Sequence, residues 1–229
     1  MKSIVVLTGA GISAESGLKT FRDSGGLWEG VDVMEVASVE GWYRDREKVL
    51  EFYNVRRVQA NKAQPNAAHL ALKKLESKYD VQIITQNVDD LHEKAGSANV
   101  LHLHGMLREA KSEKDDNHII DLGDKAINMG DTCPKGGQLR PNVVWFGEMV
   151  PNIEPASQIV ERADAVIIIG TSLVVYPAAG LIDYAPVNAP VYVIDPSRPA
   201  YPGTGHDVTF VEKTASQGTP ELVEKLLNS

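Results

Sequence analysis

Ile4-Val5-Val6-Leu7-Thr8-Gly9-Ala10-Gly11-Ile12-Ser13-Ala14 reads as a buried strand, a glycine-rich turn and the start of a helix. The apolar, β-branched run over residues 2–8 suits a strand covered on both faces. Behind it, Gly9-Ala10-Gly11-Ile12-Ser13-Ala14 follows the dinucleotide-binding pattern, with Ala in the place of the third glycine. Such a turn needs little side-chain bulk, so that backbone N–H groups can approach a pyrophosphate at the N-terminus of the helix, expected here from Ile12 to about Gly17. A tight structural turn has the same composition, but the position directly after the first strand favours phosphate binding. A hydride-transferring dehydrogenase would show a second strand ending in Asp or Glu about 20 residues further on. This chain has the polar loop Phe21-Arg22-Asp23-Ser24-Gly25-Gly26-Leu27-Trp28 there instead.

Working outward, residues 44–61 have helical spacing, with Val49, Phe52, Tyr53, Val55 and Val58 among charges. Pro65-Asn66-Ala67-Ala68-His69 opens another helix, with Leu70, Leu72 and Leu75 on its apolar side. Residues 81–85, 100–103, 165–169 and 191–194 read as strands, and 177–184 and 220–227 as helices. The alternation predicts an α/β fold: a Rossmann-like parallel sheet with helices on both faces. Residues 108–142 break the rhythm with Asp115-Asp116-Asn117 and Pro134-Lys135-Gly136-Gly137. They predict a smaller inserted module, joined by 30–61 in a second domain, beside a larger domain of 1–29, 62–107 and 143–229.

Composition narrows the function classes. With 31 acidic and 23 basic side chains the 229-residue chain carries a formal charge of −8, which disfavours nucleic acid and modestly favours basic, lysine-rich protein partners. No run approaches the roughly 18 to 20 apolar residues of a membrane helix, and the N-terminal apolar run is too short for a signal segment. The one cysteine, Cys133, excludes an internal disulfide. A cytoplasmic protein, monomeric and without membrane or nucleic-acid partners, is the expectation.

Several polar clusters fall at expected strand ends, where open α/β sheets bind ligands. In Thr85-Gln86-Asn87-Val88-Asp89, the Asn87 and Asp89 side chains suit ribose hydroxyls and a carboxamide, though either also makes a turn cap. His102 and His104 alternate on one strand face, and a neutral imidazole is the natural base near pH 7; His102 reads as support or packing. Gly170-Thr171-Ser172 offers a small-residue phosphate or ribose contact, and Asp195 follows the strand at 191–194, where it suits ribose hydroxyls. Tyr53 and Arg56 stand at i and i+3 on one helix face, as on any amphipathic helix. Such a pair can also grip a carboxylate, the guanidinium bidentately and the phenol with one further donor.

Together these blocks resemble the sirtuin family. Gly9-Ala10-Gly11-Ile12-Ser13-Ala14-Glu15-Ser16-Gly17 with Phe21-Arg22, then Thr85-Gln86-Asn87-Val88-Asp89, His104-Gly105, Phe146-Gly147-Glu148 and Gly170-Thr171-Ser172-Leu173 match its motifs in order over nearly the whole chain. The resemblance implies an NAD-dependent protein-lysine deacylase of the bacterial CobB-like type, with acylated proteins as partners. NAD would be consumed: the acyl-lysine oxygen attacks C1′ of the nicotinamide ribose, nicotinamide leaves, His104 activates a ribose hydroxyl, and 2′-O-acyl-ADP-ribose and free lysine result. It implies that Phe21, Arg22 and Trp28 belong to a loop closing over NAD, that Gln86, Asn87 and Asp89 hold its nicotinamide end, and that Ala215 lies on the adenine side. At Asp195 the family usually has Asn. Phe146, Gly147 and Val174 would border the substrate backbone. Tyr53 and Arg56 match the class that prefers succinyl, malonyl or glutaryl lysine, with deacetylation alongside. Many members hold zinc on two Cys-x-x-Cys pairs; the stretches here, Ser112-Glu113-Lys114-Asp115 and Cys133-Pro134-Lys135-Gly136, retain one cysteine. No zinc is therefore expected, the module being held by local packing and turns. Competing readings are mono-ADP-ribosyl transfer and a non-catalytic NAD-binding module.

Overall fold

The computed structural model describes residues 1–19, 27–28 (backbone only), 30–115, 117–173, 175–198 and 205–229. In chain order, β1 (Ser3–Thr8), α1 (Gly11–Ala14), β2 (Leu27–Trp28) and β3 (Val31–Asp32) precede α2 (Val33–Val36), α3 (Val39–Arg44), α4 (Arg46–Lys62) and α5 (Ala67–Leu75). Then come β4 (Asp80–Thr85), α6 (Leu91–Lys94), β5 (Val100–His102), β6 (Gly105–Ser112), β7 (Ile119–Asp121) and β8 (Leu139–Val143). The chain ends with α7 (Ile153–Val160), β9 (Ala165–Ile169), a 3-10 helix (Ala178–Tyr184), β10 (Val191–Ile194), β11 (Val208–Val211) and α8 (Ala215–Asn228).

Six strands form one parallel sheet in the order β11-β10-β9-β1-β4-β5. The chain builds outward from β1 to one side through β4 and β5, then returns to add β9, β10 and β11 on the other. Strand order therefore reverses between β1 and β9, and the crevice at their C-terminal ends is where such sheets take ligands. Alternation along β1 shows why the run is wholly apolar: Ile4 and Val6 pack with α5 and α8 on one face. Val5 and Leu7 pack with α7 and the 3-10 helix on the other. All five residues of β9 are buried.

A third core lies apart from the sheet, joining Trp42, Val49, Leu50 and Tyr53 to Leu107, Ala110, Ile127, Cys133, Leu139 and Trp145. The module expected to rest on packing and turns also contains an antiparallel sheet in the order β7-β6-β8. Cys133 is buried there and accepts a 3.0 Å hydrogen bond from Ser112 Oγ, while Lys135 pairs with Asp115 at 2.8 Å. Among the described residues no cluster of three or more His, Cys, Asp or Glu side chains could hold a metal.

Three local expectations are corrected. Leu70 is 55% exposed, because α5 turns Ala68, Ala71, Leu72 and Leu75 inward. Val55 and Val58 are likewise exposed, while Arg56 and Arg57 take places on the buried face of α4. Helix α8 begins at Ala215 rather than Pro220, because its first turn is capped from a distant segment: Glu15 accepts hydrogen bonds from Ser216 N–H, Ser216 Oγ and Thr214 Oγ1.

Candidate active site

The crevice at the β1–β9 reversal opens into a cleft of about 520 Å³ running between the parallel sheet and the smaller module. Close packing of two loops builds its floor. Gly9 N–H donates to Ile169 O at 3.0 Å and Gly11 N–H to Gly170 O at 2.9 Å. Gly170 adopts φ +61°, and a Cβ there would meet Ile12 N at 2.5 Å. A Cβ on Gly11 would meet Gly170 Cα at 2.6 Å. The glycines of this turn are thus demanded first by backbone contact between two strand ends. The N–H groups of Gly9 and Gly11 are engaged in that contact.

Beside this floor β4 ends in a directed hydrogen-bond chain. Asn87 Nδ2 donates to Ser13 Oγ at 3.1 Å, and Ser13 Oγ donates to Asp89 Oδ2 at 3.0 Å. Leu91 N–H donates to the other Asp89 oxygen. Burial raises the Asp89 carboxyl above its ordinary range, against these hydrogen bonds, which pull it down. Gln86 Nε2 donates to Thr171 Oγ1 at 3.1 Å, tying β4 to the β9 loop across β1.

His104 follows β5 and lines the cleft. Its Nδ1 lies 3.0 Å from Gln86 O. A carbonyl only accepts, so Nδ1 carries the proton and Nε2 keeps the lone pair. Burial lowers the imidazole pKa and this hydrogen bond counters it only in part, so the ring is neutral near pH 7. His102 is the opposite case. Its two nitrogens face Asn87 O at 2.9 Å and Glu93 Oε1 at 2.8 Å. Burial disfavours its charge, but Glu93, the Asn87 carbonyl and Asp89 together outweigh burial and raise its pKa. It is a charged cross-link between β5 and α6, not a base.

The far wall comes from α4 and the third core. Tyr53 and Arg56 of α4 line the same cleft as His104, among the apolar Ala37, Ala60, Leu107, Val143 and Trp145. Phe146 and Gly147 edge it, the former half-exposed. Of the residues singled out in the sequence, Gly9, Ala10, Ser13, Tyr53, Arg56, Gln86, Asn87, Asp89, His104, Phe146, Gly147, Gly170, Thr171 and Ser172 are brought together here. Gly11 packs beneath the floor, and Ala14, Asp195 and Ala215 do not line the cleft. Asp195 is buried after β10, accepting from Ser197 N–H and Oγ, and Ala215 is buried at the start of α8. Phe21, Arg22, Val174 and the Trp28 side chain lie outside the described residues. Trp145 escaped sequence reasoning although an aromatic residue beside Phe146 was a visible signal; Ala37 and Ala60 gave none.

A model of the "Sir2 family" matches residues 9–177. The chain belongs to the Sir2 family. A Helicobacter pylori protein named "NAD-dependent protein deacylase" is 52% identical over 227 residues, covering 99% of this chain and 96% of that protein. A solved Sir2 homologue–NAD complex is similar with a TM-score of 0.85 and 41% identity, over 99% of this chain and 90% of that one. A Sir2 protein bound to an acetylated peptide is similar at 0.80 and 27%, over 99% and 94%. Within the Sir2 frame, the glycine floor and the Ser13–Asn87–Asp89 chain lie on the sheet side of the cleft, and Tyr53 and Arg56 on the module side.

Proposed function

We propose that the acyl groups this Sir2-family enzyme removes from lysine are preferentially acidic: succinyl, malonyl or glutaryl. The protein is an NAD-dependent protein-lysine deacylase, and the finer assignment rests on one observation. Arg56, 8% exposed, lines the same cleft as His104 in a wall otherwise mostly apolar. A guanidinium there has a strong reason to meet a carboxylate, and one charge-assisted hydrogen bond contributes about 1.5 to 3 kcal/mol.

The cleft fits NAD as co-substrate. Its floor is built of glycines packed backbone to backbone, and it lies at the strand-order reversal. We assign Gly9, Ala10, Ser13, Gln86, Asn87, Asp89, Gly170, Thr171 and Ser172 to holding it. When bound, NAD supplies the ribosyl carbon that accepts the acyl oxygen and the nicotinamide that departs. The protein's own part is positional and protolytic. Asn87 and Asp89 are oriented through Ser13, and His104 offers Nε2 as the base that takes a hydroxyl proton. Ala37, Ala60, Leu107, Val143 and Trp145 keep water from the acyl side. We take residues 30–61 and 108–142 as the smaller domain, with Ala37 and Ala60 of that wall inside it and Leu107, Val143 and Trp145 just beyond its bounds; the third core, which packs α4 against the β6–β8 sheet, supports this division. Acylated lysine segments of proteins are the partners assigned to the open edge at Phe146 and Gly147.

Product analysis tests the reading. With NAD and a succinyl-lysine peptide, mass spectrometry should find free lysine and succinyl-ADP-ribose in equal amounts. ADP-ribosylated peptide with the succinyl group retained would overturn it.

A further inference from the structure

His102 closes β5 with its backbone fixed on both sides. It pairs with Thr85 of β4 in the parallel register, and Asn152 Nδ2 donates to its carbonyl at 2.7 Å. Each nitrogen of its buried ring faces a group that can only accept: Nδ1 the Asn87 carbonyl at 2.9 Å, Nε2 the Glu93 carboxylate at 2.8 Å. Burial alone would raise the Glu93 carboxyl, but its hydrogen bond to His102, the His102 charge, its own backbone and Arg108 together lower its pKa, so it is ionised and accepts. A neutral imidazole has one N–H and would turn a lone pair on one of these two partners. The geometry therefore calls for the imidazolium.

What the ring holds is the backbone of a residue on the cofactor side of the cleft. Asn87 N–H donates to Thr85 Oγ1 at 3.0 Å and Asn87 Nδ2 to Ser13 Oγ at 3.1 Å, while its carbonyl rests on His102. Asn87 is thus held at amide, side chain and carbonyl, and the carbonyl contact is the one that depends on a ring proton. The other charges near the ring are few. Asp89, from the loop after β4, and Glu93 of α6 favour its charge. His92 of α6 is kept neutral by burial and by His69 and His102, and Arg108 of β6 acts on Glu93. His104, two residues on, is neutral through burial.

We propose that His102 is a positioning residue for NAD: as an imidazolium it holds the Asn87 carbonyl, and loss of its proton to solvent at alkaline pH releases that carbonyl and weakens NAD binding. This rests on the assignment of Asn87 to NAD made above. After deprotonation the remaining ring proton stays with the carboxylate, the stronger partner, and Nδ1 turns a lone pair on Asn87 O. The ring is anchored through β5, so it is the Asn87 loop that yields. Two imidazoles then make opposite demands, His104 neutral and His102 charged, and the rate has an alkaline limb as well as an acid one.

The test follows kcat/KM for NAD against pH, with whichever of the succinyl- and acetyl-lysine peptides turns over faster, in the wild type, Glu93→Gln and Asn87→Ala. Nitrogen-15 NMR of the histidine rings reads the His102 protonation state directly. Glu93→Gln keeps an acceptor for Nε2, removes the negative charge and lies outside the cleft. In the wild type, His102 should carry both ring protons at pH 6.5 and titrate above that value, and kcat/KM should fall about ten- to a hundredfold through the same midpoint, the scale of a lost charge-assisted contact. Glu93→Gln should move the kinetic and the NMR midpoints to lower pH together. A merely structural cross-link would lower stability and leave the alkaline limb in place. A rate that stays flat through the NMR midpoint, an alkaline limb that Glu93→Gln does not move, or a singly protonated ring at pH 6.5 would overturn the His102 assignment alone. Asn87→Ala should raise KM for NAD; an unchanged KM would overturn the assignment of Asn87 to NAD and this proposal with it.

Discussion

Gly170→Ala is the sharpest probe of the cleft floor, and Gly123→Ala is its built-in control. Both glycines hold nearly the same left-handed backbone, φ +61° and +58°, so both variants bear the cost of placing an L side chain there, about 1 kcal/mol. Only Gly170 is crowded: its Cβ would meet Ile12 N at 2.5 Å and Gly11 C at 2.6 Å, whereas nothing lies within 4 Å at Gly123. Those neighbours are backbone and cannot swing aside. Relief requires parting the β1 and β9 loops, at about 1–3 kcal/mol for overpacking, and straining the Gly11 N–H to Gly170 O bond, worth about 1 kcal/mol. Gly170→Ala should therefore lose about 3–5 kcal/mol, a large share of the roughly 5–15 kcal/mol that holds an ordinary domain, and Gly123→Ala about 1 kcal/mol. Urea unfolding with linear extrapolation reads both values, given unchanged slopes, and KM for NAD should rise only in Gly170→Ala. Equal destabilisation of the two variants would refute the close-contact reasoning.

His104→Ala should lower kcat by about a hundred- to ten-thousandfold, the usual scale for a lost general base, with the fold intact by circular dichroism. Because burial lowers the His104 pKa and protonation disables it as a base, the acid limb of kcat/KM in the wild type should have its midpoint below 6.5; a midpoint above that value contradicts the tautomer and burial assigned here. The His69 and His92 rings, 4.9 Å apart and buried, both have pKa values lowered by burial, His69 to about 4. The unfolded chain therefore binds protons first as pH falls, so stability should drop below about pH 6.5; the His69 share, about 3 kcal/mol, is complete once pH has fallen past about 4. His102, whose pKa is raised, works in the opposite sense and offsets part of this. His69→Gln, which keeps an acceptor for Asn66 N–H, should flatten the acid limb measured by urea unfolding, and an unchanged limb would count against the burial argument.

What the sequence made legible follows the reach of each interaction. The β9 strand was readable because its two buried faces leave five apolar residues in a row, and the first turn because its glycines answer a contact at a strand end. Helix α8 was misplaced because its cap, Glu15, is supplied from about 200 residues away, beyond any local pattern. Strand β6 was hidden by its own irregularity. A register shift between Gly105 and Ala110 leaves Leu107, Ala110 and Ser112 buried rather than every second residue, so alternation, the usual mark of a strand, is lost. The inward turn of Arg56 was suggested only by its spacing from Tyr53. That of Arg57 was not suggested at all. The latter is held by Asn54 one turn back on α4 and by the carbonyls of Leu107 and Lys125, and only the folded module brings those two carbonyls near. His104 was found by motif, but its tautomer needed the Gln86 carbonyl in place.

The most direct measurement is nicotinamide release with NAD and matched succinyl-lysine and acetyl-lysine peptides, wild type against Arg56→Met. The charge-assisted contact at Arg56 predicts that the succinyl-to-acetyl ratio of kcat/KM exceeds one in the wild type and falls about ten- to a hundredfold in the variant. A ratio that Arg56→Met leaves unchanged would contradict the acidic-acyl assignment, and nicotinamide release from neither peptide would contradict deacylation itself.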